Sequence, residues 1–181
     1  MWLKIWRFVT LLLVGLGLTM GGAHVLELPQ KMQWGPELYA SVNTTLYRYF
    51  GVAGAILTVG GILAGAVLVW MGRGRPSFPL TLAGTLCLIL SLGLWLTLVA
   101  PVNAEVAHIL RISPMSVPET WMRLRDRWEY GHVLVFLAWL LGFCLLQLSV
   151  LREVPDLEPE TVDAARPEPA RGFTPGPRVR A

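Results

Sequence analysis

The chain alternates between long apolar stretches and short polar connections. Four windows carry no charged residue at all: residues 8–23, 49–72, 76–104 and 133–151. Each approaches or exceeds the roughly 18 apolar residues that a helix needs to cross a hydrocarbon layer ~30 Å thick. Because backbone N–H and C=O groups in lipid must be paired within the segment, runs of this length are expected to be helices. The pattern predicts an all-α fold, a four-helix transmembrane bundle with antiparallel neighbours.

The polar connections divide the chain into a membrane domain and a tail. The predicted spans lie at about residues 8–28, 49–71, 79–102 and 131–151, within a membrane domain of residues 1–152. No helix breaker follows Pro36 or Pro118 before the next span, so helices are predicted to extend beyond the membrane on the non-cytoplasmic side. Residues 153–181 carry six prolines and alternating charges. They cannot bury enough apolar surface to fold, which predicts a disordered cytoplasmic tail.

The basic residues suggest an orientation. Those near the first span, in the second connection and after the fourth span would share one side: Lys4, Arg7, Arg73, Arg75 and Arg152. The positive-inside rule makes that side cytoplasmic, which predicts a protein of the bacterial inner membrane with both termini in the cytoplasm. Of all residues 54% are hydrophobic and 15% charged, with a net charge of +3. This excess favours contact with anionic lipid headgroups of the bilayer rather than with nucleic acid.

Small residues and cysteines fall inside the spans. Gly17 and Gly21, and likewise Gly61 and Gly65, are four residues apart, a spacing that lets helices in lipid approach closely. Packing within the bundle is the favoured use, and a homodimer is the alternative. Both cysteines fall within spans, so neither a disulfide framework nor a Cys-rich zinc site is expected. The first span also resembles a cleaved signal peptide, but its apolar run is longer than such peptides carry.

The stretch WMRLRDRWEYGH, residues 121–132, concentrates ionisable and aromatic side chains before the fourth span. At 100° per residue, one helical face carries Trp121, Arg125, Trp128, Glu129 and His132, and further down Trp139. The other spans bring polar groups to the same end: His24, Glu27, Asn43, Tyr47 and Asn103. Ionisable groups at membrane depth are costly and usually face the bundle interior, which favours a functional site. The alternative is a structural clasp that fixes helix register.

The histidines raise the question of a metal or haem. Each has a glutamate three residues away, as in di-iron helical bundles. The candidate ligands at the end of the bundle are His24, Glu27, Glu129 and His132. A haem held by His24 and His132 is a second hypothesis. His108 is predicted to lie in a solvated loop, and the second span offers no carboxylate at the same depth. No cofactor is strictly required, and its identity stays unknown at this point.

Several motifs together resemble one membrane family. They are HVLELPQKM (24–32), LYASVNTTLYRYFG (38–51), APVN (100–103) and W-x3-R-x2-W-E-x2-H (121–132). This set resembles the anthrone-oxygenase-like family of small four-span proteins, long catalogued as a domain of unknown function. The resemblance covers roughly residues 8–151. It implies a four-helix membrane bundle and, by analogy with fungal members that oxidise anthrones to anthraquinones, oxidation of a lipophilic aromatic or quinone-like small molecule.

The main functional hypothesis is therefore a small membrane oxidoreductase. In this hypothesis Glu129 orients His132 as general base, and Arg125 and Asn103 stabilise the oxyanion that forms. The substrate-binding residues are predicted to be Trp121, Trp128, Trp139, Tyr47 and Asn43. Two other hypotheses stay open. One is a non-catalytic accessory subunit of a larger membrane complex, and the other is a haem or metal electron carrier.

Overall fold

The computed structural model describes residues 1–112 and 121–154. These ranges are helical and contain no strand. The helices are α1 (Trp2–Lys31), α2 (Pro36–Thr45), α3 (Arg48–Met71), α4 (Phe78–Leu94), α5 (Ala100–Ile112) and α6 (Trp121–Leu151), with a π-helical turn (Trp95–Val99) joining α4 to α5. Among the described residues, four helical segments are long and apolar enough to cross a membrane: α1, α3, α6 and the continuous α4–α5 segment. The chain is an integral membrane protein in its architecture.

The four long helices form a bundle. α1 packs against α3 and α6, and α4 packs against the same two helices, so each helix has two neighbours. Two groups of buried side chains fill the centre, one around Trp139 and Leu88 in the middle and one around Trp128 and Val99 at one end. Large apolar side chains such as Ile56 face outward, as expected in contact with lipid. The predicted all-α four-helix bundle is confirmed.

α4 and α6 approach each other most closely where two glycines meet. A Cβ atom on Gly142 would lie 2.9 Å from the Gly84 carbonyl oxygen, and one on Gly84 would lie 3.0 Å from that of Gly142. Only hydrogen atoms fit between these backbones. The four small residues predicted to mediate packing also face inward, against Trp139, Phe136 and Thr85. Helix association in lipid depends on such close contact, because no hydrophobic force drives it.

Glu153 ties three parts of the chain together at one end, which we call the lower end. Its carboxylate lies 2.6 Å from the Arg7 guanidinium and 3.2 Å from that of Arg75, and it accepts a hydrogen bond from the Ser77 hydroxyl. The basic residues that were predicted to share one side do therefore share one end. Glu153 was assigned to the tail, but it belongs to the bundle. The rest of the predicted tail, residues 155–181, lies outside the described residues.

The Glu153 network predicts a dependence of stability on acid pH. Burial raises the pKa of Glu153, but hydrogen bonds from Ser77 and Arg7 and the charges of Arg7 and Arg75 outweigh burial, so its pKa is lowered. Its stabilising effect is present above the ordinary glutamate pKa and is lost as the pH falls through the lowered value. We expect Glu153→Gln to cost about 1 kcal/mol or less at neutral pH, as for other partly exposed ion pairs. Thermal unfolding in detergent at neutral and acid pH measures this cost, and a pH dependence identical to that of wild type would contradict the prediction.

At the opposite end, the upper end, the helices extend past the predicted spans. The third span was predicted at about residues 79–102, and α5 continues to Ile112 after the π-helical turn. His108 was predicted to lie in a loop, and that prediction is wrong, since it is an exposed residue of α5. α6 is helical from the first described residue, Trp121, in agreement with a helix that extends beyond the membrane. The predicted helix start at residues 116–119 lies outside the described residues.

Gly131 explains how α6 packs beside the π-helical turn. A Cβ atom at this position would lie 3.1 Å from Val99 Cγ2 and 3.3 Å from Leu98 Cβ. A larger residue would push α6 away from the turn. α6 remains helical through Gly131, because tertiary packing outweighs the weak helix propensity of glycine. The close approach brings Trp128, three residues before Gly131, against α5, and His132, the next residue, against α1.

Candidate functional site: a cavity at the upper end of the bundle

A cavity of about 540 Å³ lies at the upper end, between α1, α2, α3, the α4–α5 segment and α6. Small-molecule sites usually have volumes of roughly 300–1,000 Å³. Nearly all the predicted site residues line it: His24, Asn43, Tyr47, Asn103, Trp121, Arg125, Trp128, His132 and Trp139. Glu27 and Glu129 do not line the cavity. The separate helices thus bring most of the predicted polar and aromatic groups to one space.

Two histidines stand side by side in the cavity wall. The ring centroids of His24 and His132 are 4.2 Å apart, and each residue is 8% exposed. His132 Nδ1 lies 2.9 Å from the Trp128 carbonyl oxygen. A carbonyl can only accept, so Nδ1 must carry the proton and Nε2 keeps its lone pair. His132 Nε2 therefore keeps a lone pair that a bound molecule can use, and His24 Nδ1 is a buried ring nitrogen without a hydrogen-bond partner.

The aromatic side chains are held by hydrogen bonds at their edges. Trp128 Nε1–H donates to Asn103 Oδ1 at 2.8 Å, which links α6 to α5. Trp139 Nε1–H donates to the Val14 carbonyl oxygen at 2.8 Å, lower in the bundle. With the polar atoms satisfied, the ring faces are left for apolar contacts. Asn103 Oδ1 accepts the hydrogen bond from Trp128. Any hydrogen bond that the Asn103 side chain donates must therefore come from its NH₂ group.

A buried charged network lies directly behind the cavity. Lys31 is 0% exposed, and its Nζ lies 3.0 Å from Glu27 Oε2 and 3.7 Å from Glu129 Oε1. Tyr39 Oη–H donates to Glu129 Oε1 at 2.9 Å. Lys31 Nζ also sits 4.0 Å from the centroid of the Tyr47 ring, a cation–π distance. A cation, two carboxylates and a phenol thus join the end of α1 to α2 and α6.

This network corrects the predicted role of Glu129. We predicted that Glu129 orients His132, but its Oε1 accepts from Tyr39 and its Oε2 has no hydrogen-bond partner. The Trp128 carbonyl holds His132 instead. Burial, together with the charge of Glu129 and the hydrogen bond to it, raises the pKa of Tyr39. The phenol therefore keeps its proton and acts as a donor at all physiological pH values.

Arg125 serves mainly as a clasp. Its guanidinium donates to the Met32 carbonyl oxygen at 3.0 Å and to Asp126 Oδ1 at 3.0 and 3.1 Å. The bond to Met32 ties α6 to the residue that follows α1. Arg125 still borders the cavity, but its hydrogen bonds are directed to protein atoms. The hypothesis of a structural clasp therefore fits Arg125 and the Lys31 network. The histidines, Asn103 and the tryptophans border the open volume of the cavity instead.

The residues present do not fit a metal ion or a haem in this arrangement. Among the described residues, no three His, Cys, Asp or Glu side chains are grouped to hold a metal. Of the four predicted ligands, Glu27 and Glu129 are paired with the Lys31 ammonium, which would repel a cation. The rings of His24 and His132 are close to van der Waals contact, so no macrocycle fits between them as axial ligands require.

Lys31 and Tyr39 were missed by the sequence analysis. Lys31 was not singled out as a site residue, since lysine is almost never fully buried without partners. A weak signal existed, because Lys31 lies four residues after Glu27 and seven after His24, and hence on the same helical face. Tyr39 likewise lies four residues before Asn43. Burial of these groups depends on how α2 folds over the bundle, which spacing alone does not reveal.

Comparison of the chain with protein-family models, curated proteins and solved structures finds no match.

Proposed function

We propose that the chain is a membrane oxidoreductase of the anthrone-oxygenase-like kind, which binds a planar lipophilic hydroxyaromatic molecule in the upper cavity. One observation carries the proposal: the cavity combines tryptophan faces with two buried imidazoles, of which His132 keeps an Nε2 lone pair and His24 has an Nδ1 without a hydrogen-bond partner. Aromatic substrates need a largely apolar pocket with few but well-placed polar groups. The resemblance of the motifs at residues 24–32, 38–51, 100–103 and 121–132 supports the same class of substrate.

An anthrone illustrates the chemistry that the cavity would perform. His132 Nε2 removes a proton from the methylene carbon of the substrate, and the negative charge spreads to the carbonyl oxygen. The Asn103 NH₂ group would stabilise that oxygen by a hydrogen bond. The carbanion carbon bonds to O₂, the proton returns to the distal oxygen, and the hydroperoxide loses water. The sum is anthrone plus O₂ giving anthraquinone plus water, with O₂ as the oxidant.

The proposal includes an orientation in the membrane. We place the upper end on the non-cytoplasmic side of a bacterial inner membrane and the lower end in the cytoplasm. Support comes from the basic residues around Arg7 and Arg75, which gather at the lower end. The charges at the upper end include both signs, with Lys31 paired to two carboxylates. The substrate would therefore meet O₂ in the half of the bilayer nearest the upper end.

Binding of a hydroxyaromatic probe tests the proposal. We expect 1,8-dihydroxyanthraquinone, added to the purified protein in phospholipid vesicles, to quench tryptophan emission saturably. Gly54 lines the cavity, and a Cβ atom there would meet nothing within 4 Å. Gly54→Phe should fill this space without a clash and weaken binding by roughly tenfold or more, about 1.4 kcal/mol.

The matched control is Gly93→Phe. Gly93 is exposed on α4, has open space around it and does not line the cavity. This variant should bind the probe as the wild type does. Absence of saturable quenching in the wild-type protein, or equal affinity in the two variants, would remove the support for a ligand site.

A further inference from the structure

We propose that the cavity opens sideways into the bilayer, through a cleft between α3 and α5, and takes its ligand from the lipid rather than from water. This inference rests on the proposed function and adds the route and the physical state of the substrate. The occupant is a planar, membrane-dissolved hydroxyaromatic molecule.

The two edges of the cleft line the cavity and are exposed at the same time. On α3 the edge consists of Gly51, Ala55 and Val59, a stripe with a spacing of four residues. On α5 it consists of Asn103 and Ala107, also four residues apart. Exposure of residues that line the cavity indicates that the cavity is open along these two edges. Within the described residues, α3 makes no extensive contact with α5 or the π-helical turn.

The local structure explains why the helices separate here. α3 packs along α4, and a π-helical turn at residues 95–99 interrupts the α-helix before α5 begins. Such π-turns are rare and are frequently found at functional sites. The α3 side has small residues, and a Cβ atom added at Gly51 or Gly54 would meet no atom within 4 Å. At these two positions α3 therefore presents no side chain to the cleft.

The depth of the cleft places it in lipid. Gly51 to Val59 belong to the upper part of the α3 span, Tyr49–Met71, and cover about 12 Å at 1.5 Å per residue. Beside this stripe, Val52 is 60% and Ile56 66% exposed, as expected for residues that face acyl chains. An opening bordered by such side chains would admit a lipophilic molecule without transfer through water.

A second observation points to a ligand within the cleft. His24 is more than nine-tenths buried, lines the cavity, and its Nδ1 has no hydrogen-bond partner. A buried polar atom without a partner costs free energy, which a bound hydroxyl group would recover. The cleft therefore leads from lipid to a polar group suited to a phenol or enol, and not merely to an apolar surface.

The entry route is tested by the kinetics of probe binding. Gly51→Phe places a ring at the cleft edge, and Thr44→Trp places one at the exposed part of α2 that lines the cavity from the water side. With 1,8-dihydroxyanthraquinone equilibrated in the same vesicles as the protein, and the binding equilibrium displaced by a temperature jump, we expect Gly51→Phe to slow the relaxation of tryptophan emission by roughly tenfold, about 1.4 kcal/mol of barrier. Thr44→Trp and Gly93→Phe should leave the rate unchanged.

The outcomes separate this inference from the proposed function. Slowing by Thr44→Trp but not by Gly51→Phe would overturn lateral entry, while binding itself would still support a ligand site. A loss of equilibrium affinity in Gly51→Phe with an unchanged association rate would also overturn it, because the ring would then occupy the site rather than its entrance. If the wild-type protein fails to bind the probe at all, the proposed function fails first.

Discussion

Lys31→Met is expected to destabilise the folded protein by about 3–5 kcal/mol, the range observed when one partner of a buried ion pair is removed. Lys31 is fully buried and lies within 3.7 Å of the fully buried Glu129 carboxylate. Methionine matches its length, so packing is largely kept while the positive charge is lost. The carboxylate would then be left with the Tyr39 hydroxyl as its hydrogen-bond donor. Thermal unfolding of the purified protein in detergent, followed by circular dichroism, measures the loss.

A double variant shows whether the unpaired charge is the cause. Glu129→Gln keeps an oxygen for Tyr39 and removes the carboxylate, so Lys31→Met combined with Glu129→Gln should recover most of the lost stability. A coupling energy of this kind is what a double-mutant cycle isolates. Lys4→Met, at an exposed lysine of the lower end, is the control and should change stability little. If the double variant is as unstable as the sum of the two single variants, the pair does not act as a unit.

The fold was predictable because membrane length and backbone pairing leave few solutions. Uncharged windows such as residues 49–72 must be helices in lipid, and four of them with short connections form an antiparallel bundle. The lower-end network around Glu153 was not predictable, since it depends on three segments that are far apart in sequence. The same holds for the π-helical turn, whose residues, WLTLV, have no distinguishing pattern.

The candidate site was predictable as a set of residues but not as a set of contacts. Helical spacing correctly brought His132, Trp128 and Trp139 to one face of α6, and the cavity they line was expected only as a hypothesis. Helical spacing predicted that Glu129 contacts His132. In the structure α2 folds over the bundle, and the Tyr39 hydroxyl on α2 donates its hydrogen bond to the Glu129 carboxylate. Hydrogen-bond partners depend on distances of a few tenths of an ångström, which a residue pattern does not encode.

The upper end therefore combines a structural clasp with a candidate binding site, the two roles that the sequence left as alternatives. The Lys31 network and Arg125 join α1, α2 and α6, and their stabilising contacts are made to other protein groups. The histidines and Asn103 face the open volume beside them. A rigid polar support behind a partly open cavity is the arrangement expected where side chains must be held in place for a ligand. It predicts that stability and turnover respond to different residues.

His132→Ala is expected to lower turnover by about 10²–10⁴-fold, the usual contribution of a general base, while the protein stays folded and still binds the probe. Turnover is the O₂ consumed with 1,8-dihydroxyanthrone in vesicles, measured above the rate in protein-free vesicles.

Two matched histidine variants make the result specific. His108→Ala, at an exposed residue of α5 that does not line the cavity, should retain wild-type turnover. His24→Gln should weaken substrate binding more than it slows turnover at saturation, because the proposed role of His24 is to accept a hydrogen bond from the substrate. Added imidazole should partly restore His132→Ala, since the lost group is a base and the vacated space adjoins the cavity. Wild-type turnover in His132→Ala would show that another group removes the proton, and a loss confined to His24→Gln would assign that proton transfer to His24.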